Sequence, residues 1–240
     1  MTSTPPDIGT VALIGSGEYL PPIQPLDRKL LQHVQGTPQV VVLPTAAAPD
    51  GPEVSSRWAK MGVDHFHLLG AAVEPVMLLT REDAENSELA EKIAQANFVY
   101  FSGGKPRYLL ETLQGTPAWE AVVQIYKRGG VIAGCSAGAM AMGSVIFDFP
   151  QMWRTLPALG LATGLAVIPH FDEIPKLMLA TLNHPNDQTT IVGVDGSTAL
   201  VGHAGGWTVY GTGGVTVFEG KKRIRYTEGQ EVKLPQPPLA

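Results

Sequence analysis

Short apolar runs alternate with amphipathic segments along the first half of the chain. Apolar runs predict strands, and segments in which apolar residues recur about every three or four positions predict helices. The predicted strands are Thr10–Ile14, Val40–Leu43, His65–Leu69, Asn97–Phe101 and Val131–Ala133. The predicted helices are Leu26–Val34, Glu53–Met61, about Arg81–Gln95, Arg107–Leu113 and Trp119–Arg128. This alternation predicts a doubly wound α/β fold, with a mostly parallel sheet flanked by helices.

The second half of the chain has a different pattern. Residues 145–163 contain two prolines and a glycine among aromatic residues, which predicts a long functional loop. From Ile191 onward, short β-type runs are separated by turns that contain glycine, which predicts C-terminal hairpin strands that extend the sheet. With 44% hydrophobic residues among 240, the chain can bury a large core. We therefore expect one domain over residues 1–240.

Charge and cysteine content narrow the class of partners. The 17 basic and 22 acidic residues give a formal net charge of −5 without a large basic cluster, so nucleic acid is not an expected partner. No apolar run reaches the roughly 18 residues of a membrane span, and the N-terminus lacks the pattern of a signal peptide. The single cysteine, Cys135, excludes an internal disulfide and a cysteine-rich zinc site. We expect a soluble, cytoplasmic protein with neither a metal nor an organic cofactor; a homodimer is compatible with these features.

A glycine-flanked serine lies where a predicted strand ends and a helix rich in small residues begins. Gly134, Ser136 and Gly138 form the pattern G-x-S-x-G, which in this context is typical of a nucleophile elbow. The Ala137 N–H would then lie at a helix N-terminus, where it can bind an oxyanion. The alternative interpretation is a close-packed turn without catalytic function. Cys135 precedes the serine, so we expect its side chain to point away from the cleft and to serve as a small buried hydrophobic group.

Six sequence blocks carry a family resemblance. In chain order they are ALIGSGEY (12–19), FSGGKPRYLLETL (101–113), GCSAGAM (134–140), VIPHFDE (167–173), GVDGSTALV (193–201) and GTGGVTVFEG (211–220). Together they resemble the peptidase E (aspartyl dipeptidase) and cyanophycinase family of serine peptidases, which has a class I glutamine amidotransferase-like fold. The resemblance implies Ser136 as the nucleophile, His170 as the base, and the N–H groups of Gly104 and Ala137 as the oxyanion hole. A near-neutral imidazole can take the serine proton and return it to the leaving amine.

Three aspartates are candidates for the acid of a catalytic triad. Asp172 follows His170 by two residues, so both side chains would point the same way in an extended segment, and the related glutamine amidotransferases have a carboxylate at this spacing. Asp195 precedes Gly196, which stands where cyanophycinases have a glutamate. Asp148 lies in the region from which peptidase E takes an aspartate. We rank Asp172 first, Asp195 second and Asp148 third; Asp172 has the alternative role of a helix N-cap.

The resemblance implies a small peptide as substrate, with aspartyl bonds as the founding specificity. Arg107 and Arg154 are candidates to bind a substrate carboxylate, Glu18 is a candidate to bind a substrate amine, and Phe149 and Trp153 could form an apolar lid. The nearest alternative is a cyanophycinase-like hydrolase of β-aspartyl-arginine isopeptides, which would need an acidic pocket for arginine. An alternative of another class is a non-catalytic domain that binds a small molecule on the same scaffold.

Overall fold

The computed structural model describes residues 9–148, 151–175, 179, 188–220 and 222–234. The helices in this part of the chain are α1 (Gln24–Leu31), α2 (Pro52–Leu68), α3 (Arg81–Glu85), α4 (Ser87–Ala94), α5 (Pro106–Leu113), α6 (Pro117–Lys127) and α7 (Ala137–Met142). The strands are β1 (Thr10–Ile14), β2 (Gln39–Leu43), β3 (Ala72–Pro75), β4 (Phe98–Phe101), β5 (Val131–Cys135), β6 (Gly143–Asp148), β7 (Gln151–Pro157), β8 (Ala162–Ile168), β9 (Thr190–Val194), β10 (Thr198–His203), β11 (Gly206–Gly211), β12 (Gly214–Glu219), β13 (Lys222–Thr227) and β14 (Glu231–Val232).

The first sheet carries the parallel core of the fold. Its strand order among the described residues is β14-β11-β10-β1-β5-β4-β2-β3, and the pairs from β1 to β3 are all parallel. The pairs on the other side, from β1 to β14, are antiparallel. Because β1, β4 and β5 run in the same direction, their carboxyl ends meet at one edge of the sheet, which is the usual place for a site in an open α/β sheet.

Both faces of this sheet are covered, as a doubly wound fold requires. Successive side chains of a strand point to opposite faces. Accordingly, Val11 and Leu13 of β1 belong to one buried cluster, whereas Ala12 and Ile14 belong to another on the opposite face. The prediction of an α/β fold with a sheet flanked by helices is confirmed.

A second, mixed sheet packs against the first. Its order is β13-β12-β9-β8-β6-β7, with parallel pairs β6–β8 and β8–β9 and antiparallel pairs elsewhere. Helix α7 lies between the sheets, in contact with β5 on one side and with β6 and β8 on the other. One buried cluster includes Leu13 from the first sheet and Val192 and Val217 from the second. The end of β8 is thereby brought close to the end of β5.

Two predictions in the first half were wrong. Residues 65–69 were predicted as a strand, but 65–68 form the last turn of α2, whose buried residues Ala59, Gly62 and Phe66 keep a helical spacing. The third strand is instead β3, a mostly exposed edge strand with little apolar signal. The helix predicted at 81–95 is divided into α3 and α4, because Asn86 interrupts it and its Oδ1 caps α4 by accepting from the N–H groups of Glu88 (2.8 Å) and Leu89 (3.3 Å).

Two predictions in the second half were also wrong. Residues 145–163 do not form a long loop, since β6, β7 and the start of β8 lie there. Pro157, one of the two prolines in this stretch, ends β7, which is the edge strand of the second sheet, where a missing N–H is tolerated. The late strands do not all extend one sheet: β10, β11 and β14 join the first, whereas β9, β12 and β13 join the second. Within the described residues, no helix combines the length and apolar character needed to cross a membrane.

Candidate active site

Ser136 occupies a strained turn between β5 and α7. Its backbone has φ 51° and ψ −109°, a region that residues other than glycine rarely adopt. The turn is held by two backbone hydrogen bonds: the Ser136 N–H donates to the Ile14 carbonyl (3.0 Å), and the Met140 N–H donates to the Ser136 carbonyl (3.1 Å). The serine is therefore fixed at the carboxyl edge of the first sheet, beside the end of β1.

The glycines on either side of Ser136 are required by close packing. A Cβ at Gly138 would lie 2.7 Å from the carbonyl oxygen of Phe101, which belongs to the neighbouring strand β4. A Cβ at Gly134 would lie 2.5 Å from the carbonyl carbon of Gly138. Side chains at these positions would push α7 away from β4 and β5, so the motif allows the helix to begin directly against the sheet.

His170 approaches Ser136 from the second sheet. It follows β8 in a left-handed conformation, with φ 50° and ψ 36°, and begins a 3₁₀ turn at Phe171–Glu173. Its Nε2 lies 3.1 Å from Ser136 Oγ. The imidazole is 42% exposed, so it lies at the mouth of the site. The structure thus brings together the two residues that the sequence predicts as nucleophile and base.

The carboxylate beside His170 is Glu173, which the sequence interpretation missed. Glu173 Oε2 lies 3.4 Å from His170 Nδ1, and the Glu173 side chain is 67% exposed. Asp172, the acid ranked first, has another partner: its Oδ1 accepts the Gly196 N–H at 2.8 Å, and it forms no ion pair with His170, so its contacts do not support the predicted role. The spacing H-x-x-E was the available signal, because a 3₁₀ turn brings residues i and i+3 to the same side.

The other two predicted acids lie elsewhere. Asp195 is buried, and its Oδ2 accepts the Gly214 N–H at 2.9 Å and pairs with Arg225. Asp148 has an oxygen 3.8 Å from Nε of Arg154. Within the described residues neither aspartate forms a hydrogen bond or an ion pair with the imidazole, so neither prediction of a triad acid is supported.

The turn after β4 lies against the serine. A Cβ at Gly103 would be 3.2 Å from the Ser136 Cβ, which shows how closely the two segments approach. Most N–H groups of this turn have acceptors within the fold: the Leu43 carbonyl for Ser102 (3.2 Å), Glu18 Oε1 for Gly103 (2.9 Å) and the Ala46 carbonyl for Lys105 (2.7 Å). Within the described residues, the N–H groups of Gly104 and Ala137 have no hydrogen-bond partner. These are the two donors that the sequence predicts for an oxyanion hole.

Glu18 does not have the exposed position expected of a ligand for a substrate amine, so its environment does not support that prediction. The residue is 7% exposed, and both carboxylate oxygens are engaged by donors of the chain itself. Oε1 accepts the Gly103 N–H at 2.9 Å, and Oε2 accepts the Cys135 thiol at 3.0 Å. Burial, reinforced by the Glu18 carboxylate, raises the pKa of the Cys135 thiol well above its usual range. Cys135 is therefore an unreactive buried thiol and not a second nucleophile.

The predicted carboxylate ligands are exposed and engaged with acids of the chain. Arg107 Nε donates to Glu111 Oε1 at 2.8 Å, one turn along α5, and this pair raises the pKa of the guanidinium. Arg154 lies beside Asp148, as described above. Phe149 and the side chain of Trp153, the predicted lid, lie outside the described residues. No group of three or more histidine, cysteine, aspartate or glutamate residues in the described ranges is arranged to hold a metal ion.

Fold and site together define an α/β protein with a serine–histidine contact at the carboxyl edge of its parallel sheet. The chain belongs to peptidase family S51, whose sequence profile matches residues 11–209. A solved structure of a peptidase from an acI-B1 actinobacterium is similar to 98% of this chain and 100% of its own, at 31% identity and a TM-score of 0.87.

Curated relatives are more distant. A cyanophycinase of Trichormus variabilis is 30% identical over 168 residues, which is 64% of this chain and 56% of the relative, so the chain matches little more than half of that protein's length. A cyanophycinase of Synechococcus elongatus is 27% identical over 95% of this chain and 73% of the relative. A solved structure of a putative peptidase E protein from Listeria monocytogenes covers 92% of this chain and 98% of its own at 19% identity and a TM-score of 0.60, which shows a shared fold.

Proposed function

We propose that this protein is a serine-type peptidase that hydrolyses short peptides through an acyl-enzyme on Ser136. The observation that carries the proposal is the 3.1 Å separation between Ser136 Oγ and His170 Nε2. In the first step His170 takes the hydroxyl proton while Oγ attacks the peptide carbonyl carbon, and the imidazolium then gives that proton to the leaving amine. In the second step His170 takes a proton from water, the resulting hydroxide attacks the ester, and Ser136 recovers its proton as the acid leaves.

The unpartnered N–H groups of Gly104 and Ala137 suit the charge that develops in this reaction. Attack on a carbonyl places negative charge on its oxygen, and preorganised N–H donors stabilise that charge without further rearrangement. The donor of Ala137 also lies at the first position of α7, where no intrahelical acceptor is available. We assign these two groups to the oxyanion hole.

Glu173 is the carboxylate that supports the imidazole in this proposal. At 3.4 Å from Nδ1 it favours the tautomer in which Nε2 is free to accept the serine proton, and it stabilises the imidazolium that follows. Because Glu173 is mostly exposed, water screens this interaction, and its contribution is modest. The centre therefore works as a serine–histidine pair with an exposed auxiliary carboxylate.

The substrate proposed is a small peptide, in a dipeptidase-like or aminopeptidase-like reaction that includes aspartyl bonds. Two matched relatives bear the name cyanophycinase, so a β-aspartyl-arginine isopeptide is the second candidate. The 3.1 Å serine–histidine contact argues against the third candidate, a non-catalytic binding domain. A dipeptide library that contains aspartyl and β-aspartyl-arginine members, read by mass spectrometry with Ser136→Ala as the blank, separates the first two candidates.

Covalent labelling tests the mechanism without knowledge of the substrate. A fluorophosphonate probe reacts with a serine that a neighbouring base activates, so we expect one label on the wild-type protein and none on Ser136→Ala. Cys135→Ala is the matched control, because it removes the thiol next to Ser136 and should keep the label. Absence of labelling on folded wild-type protein, or labelling that survives in Ser136→Ala, would refute the proposal.

A further inference from the structure

We propose that Glu18 is a positioning residue for this hydrolysis: its buried carboxylate fixes the Gly103 N–H and so keeps the adjacent N–H of Gly104 aimed at the oxyanion. The inference rests on the proposed function, since an oxyanion forms only if Ser136 attacks a carbonyl. It concerns a residue that would touch neither the substrate nor the reacting atoms.

The burial of Glu18 calls for an explanation. A carboxylate removed from water loses its hydration, and buried acidic residues are usually paired with a cation. Within the described residues Glu18 forms no ion pair, although it is only 7% exposed. Its two partners are a backbone N–H and a thiol. Hydrogen bonds to a carboxylate are stronger than those to a neutral acceptor, so these two contacts offset part of the cost of burying the group.

Both partners belong to the segments that frame Ser136. Glu18 lies in the turn after β1, Gly103 lies in the turn after β4, and Cys135 is the last residue of β5. The carboxylate therefore links three strand ends, at 2.9 Å to Gly103 N and 3.0 Å to Cys135 Sγ. A Cβ at position 103 would lie 2.6 Å from Glu18 Oε1, so only glycine leaves room for the carboxylate.

The loop that Glu18 holds needs a restraint. Two successive glycines have more backbone freedom than any other pair of residues, and Gly104 has φ 143°, which few other residues would adopt. The ends of the loop are tied by the N–H groups of Ser102 and Lys105. Between these ends, Glu18 accepts a hydrogen bond from the N–H of Gly103, the residue directly before Gly104. Without this contact the Gly104 peptide could rotate, and the oxyanion would lose one aligned donor.

The test measures phosphonylation of Ser136, because the phosphoryl oxygen of the probe gains negative charge in the transition state, as the oxygen of a peptide carbonyl does. Glu18→Leu removes the acceptor, and we expect the maximal labelling rate, kinact, to fall about 10- to 100-fold, as for partial loss of an oxyanion donor, with the probe's KI within about twofold. Glu18→Gln keeps an oxygen that can accept from Gly103 and lacks the nearby negative charge. Its kinact should stay within about threefold of the wild type or exceed it, which is the rescue that a positioning role requires.

Cys135→Ala is the matched control for a buried defect. It removes the second partner of Glu18 and leaves the contact with Gly103 in place, so it should lower stability and keep kinact. An unchanged kinact in Glu18→Leu, an equal loss in Glu18→Leu and Glu18→Gln, or an effect confined to KI would each overturn the inference. Failure of the wild-type protein to react would instead refute the proposed function.

If Glu18→Leu does not fold, a second measurement tests the hydrogen bond between the Gly103 N–H and Glu18. Gly17 and Gly103 are the two glycines that follow a serine in the sequence, so labelling serine carbonyl carbons with ¹³C and glycine nitrogens with ¹⁵N selects these two amides by NMR. We expect the Gly103 proton to exchange slowly and to resonate downfield in the wild type, and to move upfield in Glu18→Gln, where the acceptor is neutral. Rapid exchange of the Gly103 amide in the wild type would overturn the inference, independently of any catalysis.

Discussion

The two partners of the serine–histidine contact are held in different ways. Ser136 follows a fully buried strand, and its turn is packed against Ile14 of β1 and Phe101 of β4, both of which are buried. His170 lies on a short 3₁₀ turn after β8, with an imidazole that is 42% exposed. One half of the site is thus part of the core of the protein, and the other half lies on its surface.

The two halves of the site differ in what holds their side chains in place. In the nucleophile half, steric exclusion leaves one arrangement: glycines at 134 and 138, a strained serine, and a buried carboxylate that ties three strand ends together. In the histidine half, Phe171 packs edge-on against Phe218 and so holds the turn on the second sheet. The other described contacts are polar: Glu173 lies beside His170 Nδ1, and Asp172 accepts the Gly196 N–H. We infer that the proposed nucleophile and oxyanion hole are rigid before substrate binds, whereas the partly exposed imidazole can adjust.

The largest effect is expected when the imidazole of His170 is removed. This substitution tests whether the exposed half of the site serves reactivity without serving stability. His170→Gln should lower kinact for the fluorophosphonate by at least about 10³-fold, because no other base reaches Ser136 Oγ in the described part of the chain. Its free energy of unfolding should change by no more than about 0.5 kcal/mol, as is usual for an exposed position. The control is His67→Gln on the exposed side of α2, which should change neither quantity. A marked loss of stability in His170→Gln would show that the histidine half is also part of the core.

In the nucleophile half, Gly138→Ala should have a smaller effect, and the quantity affected is the free energy of unfolding. The added Cβ of Gly138→Ala would meet the backbone carbonyl of Phe101 at 2.7 Å, which no side-chain rotation relieves. Overpacking of this kind costs about 1–3 kcal/mol, whereas alanine gains up to about 1 kcal/mol of helix propensity over glycine. The expected net loss is about 1–2 kcal/mol, measured by urea unfolding.

Gly206→Ala is the control for this substitution. The nearest atom to its added Cβ is the His203 carbonyl oxygen at 3.9 Å, an ordinary contact, and the position has no positive φ. Its stability should therefore change little. Equal stability of the two variants would mean that α7 can move away from β4, and the nucleophile half would then be less rigid than we infer.

The same contrast explains how much of the site could be predicted from the sequence. The turn at Ser136 is a local pattern: an apolar strand, two glycines and a small-residue helix within one short stretch. The family resemblance added His170, which no local pattern distinguishes from the other histidines. The position of His170 depends on the second sheet, and the sequence predicted a loop where β6, β7 and the start of β8 lie.

The carboxylate beside His170 was not identified because the contact depends on the backbone conformation after His170, which the sequence interpretation took as extended. Asp172 and Glu173 are neighbours on one turn, and the extended geometry assumed from the sequence would have placed Asp172 beside the imidazole. The 3₁₀ turn reverses this, since it directs residue i+3 toward His170 and leaves Asp172 to the Gly196 N–H. The contacts of Glu18 were missed for a different reason: its partners, Gly103 and Cys135, are distant in sequence and meet only when β1, β4 and β5 align.

The smallest expected effect concerns the carboxylate of the histidine half. Glu173→Gln removes a charge 3.4 Å from His170 Nδ1, and because the group is mostly exposed we expect kinact to fall by at most about fivefold. The comparison variant is Asp172→Asn, which removes one negative charge from the preceding residue and retains an oxygen that can accept the Gly196 N–H. Its effect should be smaller than that of Glu173→Gln. A loss of 100-fold or more in Glu173→Gln would show that the carboxylate becomes shielded from water when the site is occupied, so that the exposed half closes around its ligand. If only Asp172→Asn showed such a loss, Asp172 would instead be the carboxylate that supports the imidazole.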